Sequence, residues 1–448
     1  MVFDRRHQTW ATSDRFIPRS FVRPFVRFSQ IEASSGTLLL AAAIIALIWA
    51  NGPWSQAYFS IVETPIIVDI GGFTVHSSIH EVINDGLMAI FFFVVGIEIK
   101  RELVVGDLRD RKAAALPVMG ALGGMAVPAL IYLAFNGGTE AAQGWGIPMA
   151  TDIAFAVGVV ALLGARVPPA AKLFLLALAI ADDIGAIAVI AIFYTTDLEL
   201  VFLGAALGGL VLVWVAGRVN IRSLAFYTPM AILIWFLTLE SGVHATLAGV
   251  ALGFLTPARP LYGPREFDRR ARSILDTYPV ETVEPYAQEH ADHEALLLSD
   301  IATAAVAPLS RVEFRISNFT SFVIVPLFAL ANAGVDLRGT SFGEALTSPV
   351  AMGVGLGLVA GKLFGITAFS WLAVRAGLGR LPPRVTWRHM IGVAGVAGIG
   401  FTVSLFVAQL AFRDPILTDL ARVGIFAGSL VAGVIGVLLL GGREPPIE

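Results

Sequence analysis

No cysteine occurs in the 448 residues, which excludes disulfides, thiolate metal sites and thiol nucleophiles and leaves no redox compartment to be read. Charge is scarce as well. Only 15% of residues are charged against 56% hydrophobic, a membrane composition rather than that of soluble domains. The formal net charge of −3 offers no basic field, so no nucleic-acid partner is expected. No cleavable leader is expected either. Arg5, Arg6, Arg15, Arg19, Arg23 and Arg27 precede the apolar run Gly36 to Ala50, but this positive region is long for a signal peptide and lacks a clear small-x-small cleavage site. The run reads as an uncleaved first span.

What is present is apolar sequence in blocks. Twelve segments stand out, at 34–50, 84–105, 113–135, 146–164, 170–193, 198–216, 221–238, 243–255, 317–334, 351–374, 389–411 and 417–440. Several fall short of the ~20 residues a helix needs to cross the hydrocarbon core, and the eighth is short enough to be a partial span. Basic residues test the count independently, because they accumulate on the cytoplasmic side. With the N-terminus inside, 27 of the 31 lysines and arginines fall on inner segments; Arg338, Arg413 and Arg422 fall outside, and Lys362 lies within the tenth span. The expectation is an all-α membrane protein of about twelve spans with both termini cytoplasmic. It divides into an N-terminal segment 1–33, a transmembrane domain 34–440 and a tail 441–448.

Three regions between spans read differently. In the outer loop 52–83, β-branched residues from Thr64 to Val75 are interrupted by Gly71-Gly72, a hairpin signal. Such a hairpin is marginal alone, and pairing with a second subunit would supply what it lacks. The cytoplasmic loop 256–315 contains Glu289-His290-Ala291-Asp292-His293-Glu294, which is either a solvated face or a pair of histidines that bind metal or sense pH. At the end of the second span, Glu98, Lys100, Arg101 and Glu102 could simply snorkel.

The stretch from Trp145 to Tyr194 holds the chemistry. Asp152 follows Thr151 in one apolar segment, and Asp182 and Asp183 sit near the centre of the next. An aspartate at a helix centre opposes insertion by about 2.5 to 3.5 kcal/mol, so three together oppose it by roughly 8 to 10 kcal/mol. Function, or a pore lined with polar residues, accounts for such a burden. Lys362 is equally central in its own span and needs either a carboxylate partner, from among Asp152, Asp182 and Asp183, or a deprotonated state.

Two spans also look unable to stay continuous. Gly144, Gly146 and Pro148 precede Thr151-Asp152, and Gly392, Gly395, Gly398 and Gly400 precede Phe401-Thr402. If spans three to five and ten to twelve are equivalent triplets, both interruptions fall in the middle member, the pattern of an inverted-repeat transporter site. Adjacent carboxylates in a medium of low dielectric repel when both are ionised, which favours a proton on one of them. A small hard cation prefers the same oxygens in their ionised form. Competition for one site, opened to one side at a time, is sufficient for exchange.

These segments resemble the NhaA-type sodium/proton antiporter family. The likeness is carried by Asn84 to Phe92 running on to Leu103, Ala150 to Ala156, Leu176 to Ala186, Ser241 to Gly249, Pro326 to Gly334 and Gly398 to Thr402. It implies electrogenic export of sodium or lithium against protons, in the service of sodium homeostasis and pH regulation. The setting it implies is a bacterial inner membrane, with membrane lipid around a homodimer joined through the outer β-hairpin. No cofactor is implied beyond the transported ions, and no enzymatic activity. By resemblance Asp182 and Asp183 form the cation site, with Asp182 facing Lys362. Asp152 with Thr151 lies at the crossing of two unwound helices. Glu98, Arg101, Glu102, His244 and Glu313 belong to the pH response. Phe314 and Ser317 stand where the family often has histidines, and the loop before them is longer than usual, so the regulatory part of the likeness is weaker. The competing class is an intramembrane aspartyl protease, which also needs two membrane aspartates; the Gly-x-Gly-Asp motif is absent and Lys362 would have no task there.

Overall fold

Inside a bilayer the backbone has no water to bond, so an apolar chain resolves into helices whose hydrogen bonds close internally. The computed structural model describes residues 34–442 except 71–72, 196–197, 222, 280–284, 337 and 339–341. The arginine-rich segment 1–33, the Gly71-Gly72 pair of the expected hairpin and residues 443–448 of the expected tail lie outside the described residues.

The chain opens with α1 (Ser34–Asn51) and α2 (Ser55–Val62), then β1 (Pro65–Ile70) and β2 (Phe73–Ser78). The strands pair antiparallel, with Pro65 opposite Ser78 and Ile70 opposite Phe73. α3 (Ile79–Val104) begins under a capping box in which Ser78 accepts from the Glu81 amide and Glu81 accepts from that of Ser78. It widens to a π-helical turn over Val82–Leu87. Then come α4 (Arg111–Asn136), a 3₁₀ segment Glu140–Met149 leading to α5 (Ile153–Leu163), α6 (Pro169–Phe193), α7 (Leu200–Arg218), α8 (Leu224–Glu240) and α9 (Thr246–Leu255). α10 (Pro264–Thr277) and α11 (Pro285–Ala304) follow, then α12 (Pro308–Asn332) and α13 (Pro349–Arg375). The last three are α14 (Trp387–Ala397), α15 (Phe401–Ala411) and α16 (Pro415–Gly441). Proline in the first turn opens α6, α10, α12, α13 and α16, where its missing N–H is no loss.

Among the described residues, eight helices are long and apolar enough to cross a membrane, or ten if each of two bent pairs is one span. The bends are 40° between Glu140–Met149 and the helix from Ile153, and 46° between α14 and α15. The apolar segments at 221–238 and 243–255 become the shorter helices α8 and α9. Leu130, Leu200, Val201 and Leu430 are exposed, as the lipid face of a bundle requires.

The region expected as a loop over 256–315 is largely helical. α10 and α11 pack on each other, and the pair is closed at its base where the Leu261 N–H donates to Ala304 O at 2.9 Å. On α10, Glu266 pairs with Arg270 and Asp268 with Arg272. These i,i+4 pairs support a helix that burial does not, and they were hidden in what reads along the chain as mixed charge.

Where helices touch most closely, glycine permits it. A Cβ on Gly123 of α4 would overlap the carbonyl oxygen of Gly365 on α13, and one on Gly365 would overlap that of Gly123. This backbone contact, the small-residue packing expected of membrane helices, seats α13 with Lys362 turned into the protein, where it is fully buried.

Candidate functional site

Both bends meet at one place. Broken helices expose amides and carbonyls that nothing inside their own segment can satisfy, and here each break satisfies the other. The Asp152 N–H donates to Ile399 O at 2.7 Å, and the Thr151 hydroxyl donates to Ala397 O at 2.8 Å. The Gly400 N–H donates to Ser429 Oγ of α16 at 3.3 Å.

Asp152 serves two helix N-termini at once. Its Oδ1 accepts from the Phe155 N–H at 3.0 Å, capping α5. Its Oδ2 accepts from the Thr402 N–H at 3.1 Å and from the Thr402 hydroxyl at 2.6 Å, at the start of α15. A carboxylate is favoured there because both helices point their positive ends at it. Lys362 takes the opposite position. Its Nζ donates to Asp182 Oδ2 at 2.6 Å and to Thr151 Oγ1 at 3.0 Å, and Thr151 passes a hydrogen bond on to the C-terminal carbonyl of α14. A cation near a helix C-terminus is the favourable sense.

Asp182 Oδ1 is buried and has no hydrogen-bond partner among the described residues. Asp183, also buried, makes no hydrogen bond or ion pair among the described residues. The adjacent carboxylates thus leave acceptor capacity open in a dry interior, where unsatisfied acceptors are costly. Among the described residues no three acidic or histidine side chains converge as a ready-made metal cage. Asp152 spends its oxygens on two helix ends rather than on the pair on α6.

Of the remaining expected residues, Glu98 acts electrostatically on Asp183 from α3, and the others make contacts of their own. Arg101 hydrogen-bonds to Glu313 on α12 and stands 3.8 Å from Glu102, while half-buried Glu98 sits one turn earlier on α3. Lys100 Nζ donates to Thr256 O at 2.5 Å, at the end of α9. His244 Nε2 lies 2.7 Å from Tyr194 O. His290 is exposed and 3.8 Å from Glu294. Ser429 carries structural weight that the sequence did not announce, while Thr402 and Ile399 were marked only as part of the stretch Gly398 to Thr402. Thr402 had one available signal, as a polar residue directly after a glycine-broken apolar run.

The family of sodium/proton antiporters described as "Na+/H+ antiporter 1" matches residues 26–440. The Na(+)/H(+) antiporter NhaA of Koribacter versatilis is 46% identical over 434 residues, covering 95% of this chain and 94% of that protein. The protein of the same name from Anaeromyxobacter sp. is 48% identical over 421 residues, covering 94% and 91%. That of Syntrophobacter fumaroxidans is 45% identical over 423 residues, covering 93% and 90%. With its whole membrane region matched, the chain belongs to the Na+/H+ antiporter 1 family.

Proposed function

We propose that this chain exchanges sodium or lithium for protons, with Asp182 and Asp183 as the shared binding groups. The observation that carries the reading is the open carboxylate pair beside Lys362 at the crossing of two broken helices. The unpartnered Asp182 Oδ1 and the neighbouring Asp183 carboxylate offer hard ligands to a small cation. A cation seated on both carboxylates competes with the Lys362 ammonium for Asp182. Binding is therefore coupled to release of a proton from Asp183 and to displacement or deprotonation of Lys362. Where Lys362 gives up its proton along with Asp183, two protons stand against one monovalent cation and the exchange is electrogenic. Asp152 and Thr151 hold the broken helices in register, so a shift of either half-helix moves the site as a unit. Two carboxylates working as a protease pair would instead need to face a common water, and Asp182 is engaged by a lysine.

The topology that suits this function has twelve crossings, counting the two bent pairs and the shorter α8 and α9 as spans. Both termini are then cytoplasmic, in a bacterial inner membrane. The triplets built around the two broken spans form an inverted repeat, for which NhaA is itself one of the type cases. The β1–β2 hairpin lies outside and joins two subunits, since a two-stranded sheet gains by extension across a dimer axis. Arg101, Glu102, Glu313 and Glu98 make up the inner pH-responsive region with His244, and α10 and α11 form a cytoplasmic appendage. Purified protein in vesicles carrying a pH gradient tests the reading: addition of sodium collapses the gradient. A gradient indifferent to sodium and lithium would overturn it.

A further inference from the structure

The family motifs Asn84 to Phe92 and Pro326 to Gly334 contribute nothing to the carboxylate site, yet they meet each other and α15 at two successive levels. Nearest the helix break, Phe406 of α15 lies between Phe92 of α3, with ring centroids 5.2 Å apart, and Phe328 of α12, at 6.4 Å. All three rings are buried. Beyond them the same three helices join through side-chain amides. Asn84 Nδ2 donates to Gln409 Oε1 at 2.7 Å, Gln409 Nε2 donates to Asn332 Oδ1, and Asn332 Nδ2 donates to Asn84 Oδ1 at 2.9 Å. The ring is closed, each amide giving to one neighbour in it and accepting from the other, and Asn332 Nδ2 also donates to Phe328 O at 2.9 Å. His80 Nε2 adds a contact to Asn332 Oδ1 at 2.8 Å. Asn84 lies in the π-helical turn of α3, a feature frequent at functional positions.

Order along α15 places these layers. Thr402 holds Asp152, Phe406 is one turn on, and Gln409 is roughly 10 Å from Thr402 along the axis. α3 follows β2 directly, so the amide ring lies toward the hairpin. An interface that never opens is served as well by apolar packing, which avoids desolvating amides. Amides that satisfy one another when closed, and water when apart, suit an interface that separates.

We infer that the Phe92–Phe406–Phe328 layer and the Asn84–Gln409–Asn332 ring together form a gate closing the cation site from the hairpin side, and that both part when the site exchanges ions with that side. This rests on the antiporter reading. Because the chain has no native cysteine, Asn84→Cys with Gln409→Cys provides the only thiols. A short bifunctional thiol reagent joining them stops sodium/proton exchange in vesicles, and cleavage of the link restores it. Exchange at the rate of the unlinked protein while the link is intact would overturn the gate.

A second measurement does not need transport. Leu405→Cys, buried on the face of α15 that also carries Phe406 and Gln409, is labelled by a membrane-impermeant maleimide added from the hairpin side. Gln409→Leu raises that labelling rate on the order of tenfold by weakening the closed state. An unchanged rate overturns the proposal even if the double-cysteine protein is inactive. Raised labelling in a protein that shows no sodium-dependent exchange would leave the gate standing and remove the antiporter reading.

Discussion

Thr402 donates twice to one oxygen of Asp152, from its amide at 3.1 Å and from its hydroxyl at 2.6 Å. Residues 250 positions apart thereby fasten one broken helix to the other. Neither break could persist in a dry interior without this exchange of partners.

Thr402→Val keeps the volume and removes the hydroxyl. Loss of a charge-assisted bond to a buried carboxylate lowers stability by about 1.5 to 3 kcal/mol, read as a fall in melting temperature in detergent. Melting like the unaltered protein would show that Asp152 does not hold the crossing.

Lys362→Ala lowers both melting temperature and exchange. It leaves Asp182 buried beside an empty volume, and breaking a buried pair by removing one partner destabilises by about 3 to 5 kcal/mol. In the double variant with Asp182→Asn the two effects are less than additive. Additive losses would mean that the 2.6 Å contact carries no coupling.

Asp183→Asn abolishes exchange while insertion and melting stay near those of the unaltered protein. Asp183 makes no hydrogen bond or ion pair among the described residues, so the amide disturbs little, but it can neither carry a proton nor offer a charge. Sodium-driven proton release at the normal rate would remove Asp183 from the site.

Excising residues between Pro264 and Ala304 keeps a pH-dependent exchange. α10 and α11 pack on each other and are closed at the base by Leu261 and Ala304. Proton competition at Asp182 and Asp183 needs no sensor in that hairpin. A shortened protein that inserts normally but exchanges at one rate and one sodium affinity from acid to alkaline pH would place the sensor there, with His290 and His293 its first suspects.

The candidate site residues were legible because buried charge has so few explanations. Asp152, Asp182, Asp183 and Lys362 stood out from apolar runs on type alone, and the glycines before Thr151 and Phe401 marked where the backbone had to break. Contacts between distant segments were not legible: no local pattern links Thr402 to Asp152 or Asn84 to Gln409. The helices at Pro264–Thr277 and Pro285–Ala304 were missed because their support comes from charge pairs and mutual packing rather than an apolar period. The Phe92 and Asn84 layers share one helix two turns apart, a spacing that acquires meaning only once α12 and α15 are set against it.

The central claim is that cation and proton compete for the same two carboxylates. It is tested most directly by measuring sodium-driven exchange in vesicles over a range of sodium concentrations at successive pH values. The account predicts that apparent sodium affinity falls with falling pH, approaching about tenfold per unit for each competing proton, while the rate at saturating sodium is retained. An apparent affinity independent of pH, with the rate alone changing, would contradict it.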